Sequence, residues 1–171
     1  MRYLVLRALY RLFLPVFFVL SLPLWVVKMF TRRGWGSEWM QRFSWYGQEP
    51  VEYEPCGGVY IHAVSVGEVL IALKLINQWK KNDHQTPFVL ATTTPTGFAV
   101  AEQKAPDGVR VIYSPLDFAW MIKRVLKRFE PKKIVLIEAE VWPELMKQTQ
   151  RMGIEVSLVN ARLSPLSLIH I

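Results

Sequence analysis

The sequence predicts an α/β fold in which a parallel sheet carries helices on both faces, preceded by an N-terminal membrane-anchor helix. Short apolar segments with strand character alternate with amphipathic helical segments along residues 58–165. Pro131 and Gly153 stand at the junctions between such segments. The first thirty residues are mostly apolar with basic ends, which indicates the anchor.

Residues 3–30 are predicted to form one apolar helix. The uncharged run 12–27 is sixteen residues long and contains two prolines, whereas a clean membrane span needs roughly 20 residues. Two arginines before the run can snorkel and lengthen it. A cleaved signal peptide is the alternative, but no small-residue cleavage pattern follows the run. We therefore expect an uncleaved anchor over residues 1–30, either single-pass or deeply interfacial.

Residues 31–57 are expected to form a basic and aromatic interfacial segment followed by a linker. Trp35, Trp39 and Phe43 recur at four-residue spacing among arginines, which predicts one face of a helix. Such a face suits the lipid headgroup layer; the alternative is a helix packed on the domain by its aromatic side. Two prolines and two glycines in residues 48–58 indicate the linker.

The charge distribution favours a membrane partner. The net charge is +7, of which residues 1–45 hold +6 and the remainder +1. Basic residues beside an apolar segment suggest an anionic membrane surface. No basic stripe with interleaved aromatic residues stands out in the globular part, so we expect no nucleic-acid partner. Cys56 is the only cysteine; no internal disulfide can form, no zinc-ligand spacing is present, and no metal or cofactor is expected.

The domain expected at residues 58–165 consists of alternating strands and helices. Strands are predicted at 59–63, 87–92, 109–113, 133–138 and 154–159. Helices are predicted at 67–81, 95–104, 118–129 and 143–152.

A cluster of polar residues follows each predicted strand. Because the carboxyl ends of parallel strands meet at one edge of a sheet, the clusters should form a single crevice, where ligands of such sheets bind. In chain order the clusters are His62, Ser65, Gly67 and Glu68; Thr92, Thr93, Thr94, Thr96 and Gly97; Ser114 and Asp117; Glu138 and Glu140; and Asn160, Arg162 and Ser164.

Two of these clusters lie at strand-to-helix turns, and each has two interpretations. Glu68 is either a reactive carboxylate at the mouth of the crevice or a helix-start carboxylate favoured by the helix dipole. The Thr92–Gly97 stretch lacks the lysine of a nucleotide P-loop; it is either an anion site or a plain helix cap. Ser65 is not a hydrolase nucleophile, because Ala63 stands where the G-x-S-x-G pattern requires glycine.

The remaining candidates rest on strand periodicity. If the fourth strand continues through Glu138 and Glu140, both carboxylates point to one face, a costly pair unless a ligand or cation compensates. His62 lies on an otherwise apolar strand and is more readily interpreted as a satisfied core histidine than as a catalytic one.

Five motifs at these positions resemble the N-terminal half of the 3-deoxy-D-manno-octulosonic acid (Kdo) transferases, the lipid A glycosyltransferases of Gram-negative bacteria. The motifs are His62-Ala-Val-Ser-Val-Gly-Glu68, Thr92-Thr-Thr-Pro-Thr-Gly97, Tyr113-Ser-Pro-Leu-Asp117, Glu138-Ala-Glu-Val-Trp-Pro143 and Asn160-Ala-Arg-Leu-Ser164. Glu144 departs from the family, in which Asn is frequent after Trp-Pro. The resemblance implies a Rossmann-like acceptor-side domain of a two-domain GT-B glycosyltransferase.

The resemblance also implies roles and partners. Glu68 matches the general base that takes the proton from a primary glucosamine hydroxyl, and Glu138 matches a residue that stabilises the transition state. The donor would be CMP-Kdo and the acceptor a bisphosphorylated lipid A precursor, at the cytoplasmic face of the bacterial inner membrane. The expected binding residues are Ser65, Gly67, Thr94, Thr96, Gly97, Asp117, Glu140, Asn160 and Arg162.

Other functions stay open on the residues alone. Another membrane-anchored sugar-nucleotide transferase, or a non-catalytic membrane-bound anion-binding module, would also explain the clusters. Residues 166–171 match the translation of a sequencing-library adapter. We therefore expect a truncated fragment that lacks the CMP-binding domain and is inactive by itself, with residues 166–171 an artefact.

Overall fold

The computed structural model describes residues 2–31, 37–47, 57–138 and 141–161. The chain forms two compact units, Met1–Met40 and Gln41–Ile171. The predicted positions Glu140 and Arg162 lie outside the described residues.

The first unit contains the long helix α1, Arg2–Thr31, with Pro15 and Pro23 inside it. The helix predicted at 3–30 is therefore present. Large apolar side chains along its middle are exposed, among them Phe17 and Leu20 at 70% and 73%. Within the parts of the chain that the structure describes, no helix combines the length and apolarity that crossing a membrane requires.

A short 3₁₀ helix, Ser37–Phe43, takes the place of the predicted aromatic α-helical face. With three residues per turn, a 3₁₀ helix does not align side chains at four-residue spacing. The α-helix that this spacing predicts is therefore not formed over residues 37–43, and Trp35 lies outside the described residues.

Five strands and four α-helices form the part of the second unit that the structure describes. The strands are β1 Val59–Ala63, β2 Phe88–Thr92, β3 Val109–Tyr113, β4 Lys133–Ile137 and β5 Glu155–Val159. The helices are α2 Val66–Asn82, α3 Pro95–Lys104, α4 Ala119–Phe129 and α5 Pro143–Met152.

The five strands form one sheet in the order β3-β2-β1-β4-β5, and every pairing is parallel. From β1 the chain runs outward through β2 to the edge strand β3. It then returns through α4, and β4 pairs with β1 on the side opposite β2. The strand order therefore reverses between β1 and β4, and a crevice opens at such a switch point in open α/β sheets.

The helices cover both faces of the sheet, as the sequence predicts for a Rossmann-like domain. Alternate side chains of β1 point to opposite faces: Val59 and Ile61 pack with α2 and α3, and Tyr60 packs with α4 and α5. Both layers bury side chains completely, for example Ile76 in α2 and Phe129 in α4. These two apolar layers fix the position of the carboxyl edge of the sheet.

Candidate functional site

The turn from β1 to α2 holds Glu68 in a reciprocal cap. The Ser65 hydroxyl accepts a hydrogen bond from the Glu68 N–H at 3.4 Å. The Glu68 carboxylate accepts bonds from the N–H groups of Val64 at 2.8 Å and Ser65 at 3.2 Å. This is a capping box, so the helix-start interpretation of Glu68 holds. Each carboxylate oxygen retains a further lone pair, and Glu68 can still accept a proton from a ligand.

The turn from β2 to α3 is fastened to this first turn through Thr94. Its hydroxyl accepts a bond from the Gly97 N–H at 3.1 Å and donates one to the Val64 carbonyl at 3.2 Å. Gly97 is required beneath the helix start, because an added Cβ would lie 2.6 Å from the Thr92 hydroxyl. Thr94 is thus a helix cap, while Thr96 in the first turn is exposed.

Beneath these turns, His62 takes part in a buried group of hydrogen-bonded side chains. The Ser114 hydroxyl hydrogen-bonds with His62 Nδ1 at 3.1 Å and with the Tyr60 hydroxyl. The Trp142 ring lies edge-to-face against the imidazole, with centroids 5.5 Å apart. His62 Nε2 is buried with no hydrogen-bond partner among the described residues. His62 is therefore a core histidine that is only half satisfied.

Burial shifts the pKa values of the two titratable side chains in this hydrogen-bonded group, His62 and Tyr60. It lowers the pKa of His62 from 6.5 to about 4, because the charged imidazolium loses its hydration. It also raises the pKa of Tyr60 above its ordinary value, against a smaller opposing effect of the bond with Ser114. Both side chains are therefore neutral at pH 7, and the bonds join uncharged groups.

The depressed His62 pKa predicts a loss of stability in acid. The unfolded chain binds this proton near pH 6.5 and the folded chain only near pH 4. His62 therefore does not change the free energy of unfolding above pH 6.5. Below that pH it lowers this free energy by about 1.4 kcal/mol per pH unit, until the pH reaches about 4. Urea unfolding at pH 7.5 and pH 5 should show a loss of about 2 kcal/mol that is absent in His62→Gln. An equal loss in both proteins would contradict this assignment.

Asp117 caps helix α5 from a distant loop. Its carboxylate oxygens accept bonds from the N–H groups of Glu144 and Leu145, each at 2.9 Å. The N-cap position itself is Trp142, whose side chain makes no cap bond. Asp117 is only 1% exposed. Its contribution to the edge is to hold the start of α5, and with it Trp142, in place.

The carboxyl ends of β4 and β5 carry two residues in the left-handed region. Glu138 has φ 62° and Asn160 has φ 57°, and the Glu138 N–H donates to the Val159 carbonyl at 2.8 Å. Asn tolerates this conformation, whereas Glu adopts it at a cost of about 1 kcal/mol or more. Since β4 ends at Ile137, the strand predicted at 133–138 stops one residue early and Glu138 does not continue it. Glu140 lies outside the described residues.

The structure gathers most of the described candidates at the carboxyl edge. The turn with Ser65, Gly67 and Glu68 follows β1, and Glu138 follows the adjacent strand β4, so they flank the switch point. Thr94 is joined to the first turn. Asn160 is exposed at the outer strand.

Sequence analysis missed Gln41 and Arg42, which pack on the edge of the sheet. The Gln41 side-chain oxygen accepts from the Tyr113 N–H at 2.9 Å, and Arg42 Nη2 donates to the Thr93 carbonyl at 2.6 Å. The guanidinium lies 4.3 Å from the Tyr113 ring centre, and that ring stacks on Phe98. Burial lowers the pKa of Arg42. This part of the basic and aromatic segment therefore packs on the domain.

No metal centre is formed by the described side chains. Among residues 2–31, 37–47, 57–138 and 141–161, no group of three His, Cys, Asp or Glu is placed to hold a metal ion. The described chemistry of the edge is that of carboxylates, hydroxyls, backbone N–H groups and the Arg42 guanidinium.

A family model and several curated relatives identify the family of this chain. The model of the family described as 3-deoxy-D-manno-octulosonic-acid transferase (kdotransferase) matches residues 37–170. A 3-deoxy-D-manno-octulosonic acid transferase of Haemophilus influenzae is 35% identical over 124 residues, which are 72% of this chain and 29% of the relative. A probable mitochondrial transferase of the same name from Arabidopsis thaliana is 33% identical over 129 residues, 75% of this chain and 28% of the relative.

A more extended match comes from Chlamydia trachomatis. Its 3-deoxy-D-manno-octulosonic acid transferase is 30% identical over 157 residues, 91% of this chain and 36% of the relative. The chain thus spans about a third of the length of the curated relatives it matches. Because the family model covers most of the chain and contains the whole described carboxyl edge, the chain belongs to the Kdo transferase family.

Proposed function

We propose that this chain supplies the acceptor-side domain of a glycosyltransferase that moves Kdo from CMP-Kdo to the primary glucosamine hydroxyl of a lipid A precursor, in lipopolysaccharide core biosynthesis. One observation carries the proposal: in a chain of the Kdo transferase family, the Glu68 carboxylate is fixed at the first turn beside the switch point. Crevices at this position bind the ligands of open α/β sheets.

Glu68 would act as the general base. Its lone pairs not used by Val64 and Ser65 accept the proton of the acceptor hydroxyl. The hydroxyl oxygen then forms a bond to the anomeric carbon of Kdo while the bond from that carbon to CMP breaks. The two backbone N–H donors hold the carboxylate in one orientation, so positioning contributes to the rate together with proton transfer.

Glu138 would stabilise the transition state by orienting a cationic group. Its strained backbone places it directly after β4, and strain of this kind clusters at functional sites. Ser65, Thr94 and Asp117 would contribute to binding through the caps they form, and Gly97 through the close packing that it permits beneath the start of α3. Gly67, in the first turn of α2, belongs to the proposed binding set as well. Thr96, Asn160, Glu140 and Arg162 complete the proposed binding set.

The proposed location is the cytoplasmic face of the bacterial inner membrane. Helix α1 supports it, because its middle exposes apolar side chains such as Phe13, Phe17 and Leu20, and basic residues flank this part. Such a helix can bury its apolar side chains in the acyl region while the arginines stay at the headgroups. A lipid acceptor would then be reached without leaving the membrane surface.

A chimera tests the proposed reaction. This chain replaces the matched region of the Haemophilus influenzae relative, so that the parts of that protein outside the match are retained. The chimera should transfer Kdo from CMP-Kdo to a bisphosphorylated lipid A precursor. A chimera that folds but transfers nothing would contradict the proposal, and transfer only from another sugar nucleotide would favour the alternative transferase.

A further inference from the structure

Helix α4 presents a stripe of basic residues that begins with an exposed tryptophan. Its exposed positions are spaced i, i+3, i+4 and i+7, whereas Met121, Ile122, Val125, Leu126 and Phe129 are buried. The α4 stripe consists of Trp120, Lys123, Arg124 and Lys127. Sequence analysis found no basic stripe with interleaved aromatic residues in the globular part; the α4 stripe has a single tryptophan at its start, and it becomes evident once the buried face of α4 is known.

The charge of this layer is one-sided. Helix α4 contains no acidic residue, and its neighbour α5 adds Lys147 and Arg151 while its only acid, Glu144, is buried. On the other face of the sheet, α2 and α3 carry Lys74, Lys80, Lys81 and Lys104 against Glu68 and Glu102, a net charge of +2. Helices α4 and α5 carry six lysines and arginines against Glu144, a net charge of +5, and the exposed Glu130 follows α4 directly. The α4 side is therefore the more positive of the two helical layers.

A second exposed tryptophan lies beside α4. The Ser44 hydroxyl donates to the Met121 carbonyl at 2.9 Å, and the Tyr46 ring packs edge-on against Phe129 with centroids 5.4 Å apart. Trp45, between these two residues in the chain, is 60% exposed, and Trp120 is 56% exposed. Two large indole rings thus lie in water on the same side of the domain as the basic stripe.

We propose that the α4 stripe and Trp45 form a second membrane-contact surface, on the sheet domain itself, that adsorbs to anionic lipid. Tryptophan is favoured at the headgroup level, and each lysine or arginine near an anionic surface strengthens adsorption about fivefold. A bilayer is favoured over nucleic acid because the chain carries a further lipid-compatible element, the exposed apolar α1. Since α4 starts after β3, Trp120 lies at the same edge of the sheet as the Glu68 turn.

A site-specific fluorophore separates this contact from any binding through α1. In the full chain with Cys56→Ser, Trp120→Cys is labelled with the environment-sensitive dye NBD; the control label is Glu102→Cys on α3, the opposite layer. With vesicles of phosphatidylcholine containing phosphatidylglycerol, the label at position 120 should shift to the blue and be quenched by brominated lipid. With vesicles of phosphatidylcholine alone, the emission of the label at position 120 should not change. The label at position 102 should not respond to either kind of vesicle.

Charge variants complete the test. Arg124→Glu with Lys127→Glu should abolish the shift at position 120, whereas the matched pair Lys74→Glu with Lys104→Glu on the opposite layer should preserve it. The proposal is overturned if the chain pellets with anionic vesicles while the label at position 120 stays in water. It is equally overturned if labels 120 and 102 respond alike, or if RNA shifts label 120 and vesicles do not.

Discussion

Replacing Glu68 by Gln should lower the turnover of the chimera by about 100- to 10,000-fold, because the amide cannot accept the acceptor's proton. The acceptor concentration for half-maximal rate should change little, since the hydroxyl can still hydrogen-bond the amide. The measurement is the initial rate of Kdo transfer at several acceptor concentrations, normalised to folded protein. Near-normal turnover would remove Glu68 as the base.

The same substitution should also lower stability, and this needs a control. In Glu68→Gln the new side-chain oxygen can accept from only one of the two N–H groups that Glu68 satisfies, and the new NH₂ group faces the other. These N–H groups are half-buried, so leaving one of them without a partner costs about 1 kcal/mol, the low end of the range for buried donors. Ile76→Val, in the same helix but fully buried in the core, costs about 1 kcal/mol through lost packing. It should retain full turnover per folded molecule, so stability alone does not explain the rate loss.

Replacing Asp117 by Ala should produce the largest loss of stability, about 4 kcal/mol. Two buried charge-assisted hydrogen bonds to the start of α5 disappear together, each contributing about 1.5–3 kcal/mol, and the helix dipole loses its compensating carboxylate. Urea denaturation of the full chain in mild detergent measures the effect.

Two variants serve as comparisons for Asp117→Ala. Asp117→Asn keeps one acceptor oxygen and should lose about half as much. Glu102→Ala, which removes an exposed acid from α3, should stay within about 0.5 kcal/mol of the parent protein. A loss below about 1 kcal/mol in Asp117→Ala would show that the start of α5 does not depend on this cap.

The strands and helices of the domain were predictable because the local sequence of each one favours the structure that it forms. Apolar five-residue runs in a parallel sheet are buried on both faces, and β1 and β3 occupy the predicted residues 59–63 and 109–113. Proline at the first turn and glycine after the last identify α5 within its predicted range, 143–152. The convergence of the clusters at one edge follows from parallel strands alone.

The contacts that support the edge were not predictable in the same way, since they join residues far apart in the chain. Asp117 caps a helix that starts 26 residues later; the one local signal is that Trp142 is a poor N-cap, so another group must satisfy the helix start. The bonds of Arg42 with Thr93, and of His62 with Ser114, bridge 51 and 52 residues. Likewise, β4 ends at Ile137 because Glu138 turns into the left-handed region, which strand periodicity does not signal.

The central claim is that the carboxyl edge of this sheet binds the lipid acceptor, and nuclear magnetic resonance of the full chain in detergent tests it most directly. Adding a bisphosphorylated lipid A precursor should shift the amide signals of Ser65, Glu68 and Gly97, at the carboxyl edge, in a saturable way. Gly58 and Lys132, at the opposite edge, should not respond, and phosphatidylglycerol at equal charge should not reproduce the pattern. Saturable shifts at Gly58 and Lys132 with none at Ser65 and Glu68 would contradict the account.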